Sequence, residues 1–303
     1  MLIFTIIIVE LILLVHSSPA VNLSDDAEVV PDEAISYINS VQDLWEASKD
    51  WIGQTSLHEA KHLAQTEIGP HNFPEYNWGS LLNNIKSPQS FDSRDQWPKC
   101  VHKIMDQDHC GSCWAFGASE SLSDRLCIAS NGTISTILSP QYLLNCDTSD
   151  SGCHGGFLTY AWNFILKSGL PSISCLSYKA KKETCSNLCD DSTDMIKYYI
   201  KSVHSYSGIQ SIQASIMANG PVEVDFSVYQ DFYSYKRGIY KHTWGNRVGG
   251  HAVKMIGWGV KGEEKYWICA NSWGKHWGMK GYFFIGFGQC GIDGSAVAGI
   301  PNL

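Results

Sequence analysis

The chain has 303 residues, 44% apolar and 17% charged, a composition that suits a large buried core and excludes a disordered, solvating chain. Its 22 basic and 30 acidic residues leave a formal charge of −8, which argues against a nucleic-acid binder. Eleven cysteines are too many for an ordinary cytosolic enzyme, and their odd number points to an unpaired thiol.

Residues 1–20 read as a signal peptide. The apolar run Leu2 to Val15 is shorter than the roughly 18 residues of a spanning helix, and Ser17, Ser18 and Ala20 follow as small residues suited to cleavage. No Lys or Arg precedes the run and Glu10 interrupts it, so an anchored N-terminus is the competing reading. No later segment is apolar enough to span a membrane. The expected route is secretory, ending in a lysosome-like or secretory vesicle or outside the cell. The sequons at Asn22 and Asn131 fit that route.

Residues 21–86 carry 3 basic and 11 acidic residues, whereas 87–303 carry 19 and 18 and hold every cysteine. The first stretch reads as a removable or regulatory segment, the second as a disulfide-stapled domain. Ala34, Ile38, Val41, Leu44 and Trp45 follow a 3-4-7 spacing, which predicts a docking amphipathic helix. In the stapled part, Cys113–Ser130 reads as a helix stopped by Asn131-Gly132. Ser139-Pro140 opens a short helix to Leu144, Phe157–Lys167 forms a third helix stopped by Gly169, and Ile209, Ile212 and Ile216 mark a fourth. The period then changes. Val222–Tyr229, His251–Val260, Lys265–Asn271 and Gly281–Gly286 read as strands, with Gly262-Glu263-Glu264 as a hairpin loop. Helices first and strands later make an α+β chain of two lobes.

The strongest local signal is Gln107-Asp108-His109-Cys110-Gly111-Ser112-Cys113-Trp114. Gly250-His251-Ala252 puts a histidine 138 residues after Cys113, and Asn271-Ser272-Trp273-Gly274 an asparagine 20 residues later. A thiol attacks a carbonyl as thiolate, and both a helix N-terminus and a neighbouring imidazolium lower its pKa. His251 can then serve as general acid and base, with Asn271 fixing its tautomer and Trp273 shielding that bond. Gln107 can offer an N–H to a developing oxyanion, a contribution of about 3 kcal/mol for one such donor.

With these motifs the chain resembles the papain-like cysteine proteases from about Ser87 to Leu303. Gln96-Trp97-Pro98-Lys99-Cys100, Asp124-Arg125-Leu126-Cys127 and Phe226-Ser227-Val228-Tyr229 narrow the resemblance to the cathepsin B-like branch. It implies a helical lobe and a barrel-like β lobe flanking a cleft, polypeptide substrates, a monomer, and no cofactor or metal. It implies helical-lobe residues mainly at 87–200 and β-lobe residues mainly at 201–303. It implies the disulfides Cys100–Cys127, Cys110–Cys153, Cys146–Cys185 and Cys175–Cys189, leaving Cys113, Cys269 and Cys290. It also implies that residues 21–86 are a propeptide covering Cys113, acting as an intramolecular inhibitor of a secreted zymogen.

Gly155 and Gly156 resemble the family's glycine wall. Phe157, Leu158, Asp225, Ala252 and Ser295 match the pocket for the second residue before the scissile bond. Ser295 stands where a Glu is usual in mammalian cathepsin B, and Asp225 where a small apolar residue is usual. Between Cys175 and Cys185 the chain has only Leu176–Thr184, without the His-His pair of the branch's occluding loop. The expectation is an open cleft and an endopeptidase; dipeptidyl carboxypeptidase activity is the alternative. The acidic propeptide suggests release by acid, with carboxylates neutralised and His58, His62 and His71 charged. Rival classes are a Cys110-x-x-Cys113 redox protein, a zinc protein and a non-catalytic papain-like binding protein. The last would normally have lost its nucleophile.

Overall fold

The computed structural model describes residues 24–51, 55–69, 71–79, 82 and 86–303; the expected signal segment and the Asn22 sequon lie outside them. In the acidic segment, α1 (Asp32–Val41) buries Ala34 and Ile38. The expected apolar stripe is cut short, because Val41 is exposed and Trp45 opens strand β1 (Trp45–Ala47). Gln42 is responsible. Its Nε2 donates to the Ile38 and Trp45 carbonyls, while its Oε1 accepts from Leu44 and Trp45 N–H, turning the chain from helix to strand. A second helix, α2 (Leu57–Leu63), starts at a capping box formed by Ser56 and Glu59.

After the short β2 (Phe91–Asp92) and α3 (Ser93–Gln96) comes α4 (Cys113–Ala129), buried continuously from Cys113 to Cys127. A helix surrounded on every side needs no polar face, so its sequence carries little amphipathic period. α5 (Pro140–Cys146) and α6 (Leu158–Ser168) pack against it. Ser139 occupies the N-cap position of α5, but its hydroxyl donates to the Leu176 carbonyl (2.7 Å) rather than capping the helix. Their core is Trp114, Leu122, Leu143, Trp162 and Ile165.

The remaining elements are β3 (Leu170–Pro171), β4 (Lys197–Ser207), α7 (Ile209–Asn219), β5 (Val222–Tyr229), β6 (Tyr235–Tyr240), β7 (Arg247–Lys261), β8 (Glu264–Ala270), β9 (Tyr282–Gly286) and β10 (Ser295–Asn302). The sheet runs β1-β6-β9-β8-β7-β5-β10-β4-β3, and β2 pairs with β7. Among these pairings only β6–β9 is parallel. The N-terminal segment therefore adds its own strand to the β lobe. Val29, Val30, Ile38, Trp45 and Ala60 share one core with Phe226, Phe232, Trp277 and Phe283. Each fully buried Val or Ile is worth about 1.5–3 kcal/mol, so the segment is held mainly by apolar contact.

Two buried polar clusters join the lobes. Arg125 on α4 donates to the Pro221 and Gly220 carbonyls (2.6 and 3.1 Å) and to Ser215 Oγ (2.7 Å), fastening the end of α7. Lys254 on β7 lies 2.8 Å from Asp124 and 3.5 Å from Glu120, both on α4. Asp124 also accepts from His102, at 2.7 Å. The four disulfides are Cys100–Cys127, Cys110–Cys153, Cys146–Cys185 and Cys175–Cys189, as the resemblance implied.

Candidate active site

Cys113 is the first residue of α4, so its thiol sits at the positive end of a 17-residue helix. His251 lies in β7, and Asn271 directly follows β8. The antiparallel register Lys254↔Ala270 brings both residues to the same end of the sheet. Asn271 Oδ1 accepts the Ser272 backbone N–H (2.8 Å) and faces His251 Nε2 at 2.7 Å. An amide oxygen only accepts, so Nε2 carries the proton and Nδ1 is the nitrogen left for Cys113. Trp273 covers the imidazole, with ring centroids 4.7 Å apart.

Burial pushes the Cys113 thiol pKa up. The charge of His251, together with Thr66 and the Ala252 backbone, outweighs that burial, leaving it at about 7 against an ordinary 9.0. His251 Nδ1 makes no well-aligned hydrogen bond in this closed state, and electrostatic attraction does not require one. The other two free thiols differ. Burial raises Cys269 far above its ordinary range and moves Cys290 to about 12, so neither has thiolate character. Cys110 is bonded to Cys153, so the Cys110-x-x-Cys113 pair is not a redox disulfide.

Gln107 is gripped by Ser272, whose Oγ donates to Oε1 (2.7 Å) and whose carbonyl accepts the Gln107 backbone N–H (2.8 Å). Its Nε2 therefore points back, donating to the Cys110 carbonyl (3.0 Å) and to the Leu63 carbonyl (3.3 Å). Leu63 ends α2, and the chain continues from it across the thiol. Thr66 N–H donates to the Gly250 carbonyl (2.9 Å), Glu67 N–H to the Gly156 carbonyl (3.0 Å), and Thr66 Oγ1 lies 3.0 Å from Cys113 Sγ. A Cβ at Gly250 would fall 2.1 Å from Thr66 O, and one at Gly155 2.3 Å from Gln65 O; only glycine lets a backbone come this near. A peptide strand thus lies across a thiol, an imidazole and an amide donor.

The profile of the papain family cysteine proteases matches residues 87–300. The chain belongs to the papain family of cysteine proteases. It is 38% identical to the Cathepsin B-like cysteine proteinase 5 of Caenorhabditis elegans, over 96% of this chain and 97% of that one. It is also 38% identical to a gut-specific cysteine proteinase of the same organism, over 92% and 93%. Among solved structures it is similar to proCathepsin B S9 from Trypanosoma congolense, with TM-score 0.86 and 31% identity over 91% of this chain and 100% of that one. A digestive procathepsin L2 proteinase from Tenebrio molitor larval midgut matches with TM-score 0.77 and 26% identity over 89% of each chain. The fold is thus the papain-like two-lobe α+β fold with a propeptide, and the chain is a cysteine peptidase of the cathepsin B-like kind.

Of the other residues expected in this papain-family protein, Gly155, Gly156 and Asp225 meet the N-terminal segment. Asp225 and Ala252 are paired across β5 and β7, and Phe226 pairs with His251 in the same register. Ser295 starts β10, one step before the Ala296↔Val224 pairing, on the side of Asp225 in the middle of β5. Leu158 is buried in the helical-lobe core beside Ala252, whereas Phe157, just before α6, is exposed. Asp225 does not face solvent; His71 of the propeptide covers it, 3.4 Å away, and its Oδ2 has no partner. Histidines 109, 154 and 276 are exposed, while His204 bonds Ser202 and His242 bonds Asp231. The sequence reading missed Ser272, Thr66, Trp51 and the Leu63 carbonyl. Trp51 stacks on Trp273 at 5.6 Å and 7°. The capping box Ser56-x-x-Glu59 is a local signal for the start of α2, but not for its place beside the site.

Proposed function

We propose that the chain is the secreted zymogen of an endopeptidase, with residues 1–20 as signal peptide, 21–86 as propeptide and 87–303 as the peptidase. The observation that carries this reading is the propeptide backbone between Gly156 and Gly250, with Leu63 O on the Gln107 amide and Thr66 Oγ1 on the Cys113 sulfur. Two bridges, Gln65 to Gly250 and Thr66 to Gly156, hold the segment to both walls of the cleft.

Once the propeptide leaves, the Cys113 thiolate attacks the scissile carbonyl carbon. The carbonyl electron pair moves onto oxygen, where the Gln107 amide and the Cys113 backbone N–H stabilise it. As the C–N bond breaks, His251 gives its Nδ1 proton to the leaving amine, and a thioester remains on Cys113. Water then loses a proton to His251 and attacks the thioester; the thiolate departs and the acid product is released. Asn271 keeps the ring oriented through both halves, under Trp273.

The loop Leu176–Thr184 supports an open cleft. Two disulfides tie it to the helical lobe, and two of its three cations, Lys179 and Lys181 but not Lys182, are paired with Glu183 and Asp190. Asp225, buried beneath His71 with a free Oδ2, supports a preference for a basic side chain two residues before the cut. Phe157, Leu158, Ala252 and Ser295 complete that pocket in this reading. The test is digestion of a mid-length peptide by the activated protein, with Cys113→Ala as control. Internal cuts support endopeptidase action. Stepwise loss of C-terminal dipeptides alone would favour the carboxypeptidase alternative, and no cleavage would leave only a binding protein.

A further inference from the structure

Tyr178 lies in the loop between Cys175 and Cys185, far in sequence from the motif that carries Cys113. Its phenol oxygen is 2.7 Å from the Gln107 carbonyl oxygen and 2.8 Å from Ser112 Oγ. A carbonyl only accepts, so the single phenol proton is committed to Gln107, and the Ser112 hydroxyl must donate to the phenol. The relay runs from Ser112 through Tyr178 to Gln107. It therefore ties the residue preceding the nucleophile to the residue whose amide faces the oxyanion position.

Other contacts show that the phenol is placed rather than adventitious. Its ring meets Phe116, one turn into α4, edge-on at 4.7 Å and 83°. Asp190 clamps the loop on either side through Ser177 N–H (2.9 Å), Ser177 Oγ (2.6 Å) and Lys179 Nζ (3.0 Å). Burial pushes the phenol pKa up, so the group stays a donor across the working pH range. On the opposite side, Ser272 holds Gln107 from the β lobe. Gln107 is thus fixed at its backbone N–H, its carbonyl and its side-chain oxygen, from both lobes. Its Nε2 is thereby aimed, donating to the Cys110 carbonyl and, in the closed state, to the Leu63 carbonyl.

We infer that Tyr178 is a positioning residue for oxyanion stabilisation: its hydroxyl sets the spacing between the Gln107 amide and the N-terminus of α4. The inference rests on the peptidase reading above and assigns a function to a loop that the reading treats only as short.

The test compares activated wild type, Tyr178→Phe and Ser112→Ala. The phenylalanine variant keeps the ring contact and removes only the hydroxyl. Its kcat is expected to fall about tenfold with KM little changed, because the lost hydrogen bond acts on the tetrahedral species and not on the bound peptide. Inhibition by a peptide aldehyde, whose carbonyl adds the Cys113 sulfur and becomes tetrahedral, should weaken by a similar factor. Alkylation of Cys113 by iodoacetamide, which builds no oxyanion, should keep its rate and pH midpoint. Ser112→Ala should show the same pattern to a smaller degree. An unchanged kcat in both variants overturns the inference, as does a parallel fall in alkylation, which would mark general disturbance. If the wild type cleaves no peptide at all, it is the peptidase reading that fails.

Discussion

Replacing His251 with alanine gives the sharpest test of how the thiol is activated. In the closed protein, burial raises the Cys113 pKa, and the charge of His251 supplies the largest opposing influence. Without the imidazole the thiol should titrate at or above its ordinary 9.0 rather than at about 7. Two units correspond to about 2.7 kcal/mol less stabilisation of the thiolate. The sign follows directly: thiolate is present above the pKa and lost below it. At pH 6 the thiolate fraction would fall about a hundredfold, from about a tenth to about a thousandth. A more basic thiolate is also the better nucleophile, and a Brønsted slope near 0.5 returns about one decade over two units. The net expectation for the activated protein is iodoacetamide alkylation about tenfold slower at pH 6, with the acid limb displaced upward by about two units. Uncovering the thiol relieves its burial in both proteins and leaves the His251 contribution as their difference. If the variant keeps the wild-type midpoint, His251 does not govern the thiol and the account fails.

Four further outcomes are expected. Lys254→Met takes the ammonium from buried Glu120 and leaves Asp124 only His102, so it should destabilise the chain by about 3–5 kcal/mol, read as a lower urea midpoint. Trp51→Ala removes the stack on Trp273 and should speed self-processing of the full chain about tenfold at fixed pH, followed by gel; an unchanged rate would show that the stack does not hold the propeptide. Glu46 and Asp50 are held below the ordinary carboxylate range, Glu46 first by Arg237 and Asp50 first by Lys236. Their contacts are complete above about pH 4.5 and fade as pH falls through the lowered values, so Glu46→Gln should let processing begin at a higher pH. Iodoacetamide should add one label per activated native protein, at Cys113, since the Cys269 and Cys290 thiols are held neutral; mass spectrometry counts the labels.

The acid-release expectation rests on the charges of residues 21–86, and the partners of those charges bear on its sign. Carboxylates at Glu46 and Asp50 bind Lys236 and Arg237 of the β lobe, so acid loosens these contacts. His71 works the other way. It lies against Asp225, an acidic partner, at 3.4 Å, rather than against a cation. The sign of a histidine's contribution depends on its partner, which a count of charges along the segment does not reveal.

The order of Gln107, Cys113, His251 and Asn271 was legible because each sits in a short motif with its own local signature. The helices α6 and α7 and strands β5 and β8 were legible for a similar reason: their apolar spacing and glycine stops are local. β4, β6 and β10 were not. Ser295–Asn302 contains glycine and proline and few strong strand formers, and it is a strand because β4 and β5 pair with it on both sides. Trp45 fits a helical stripe by spacing, yet Gln42 and the edge of β6 make it strand. The chemistry of the cleft, then, is written in the sequence as residue types at fixed intervals. Which carbonyl rests on the Gln107 amide, what covers Asp225, and how Tyr178 reaches Gln107 depend on contacts between segments tens of residues apart. Such contacts are decided by packing and register, and those exist only once the chain has folded.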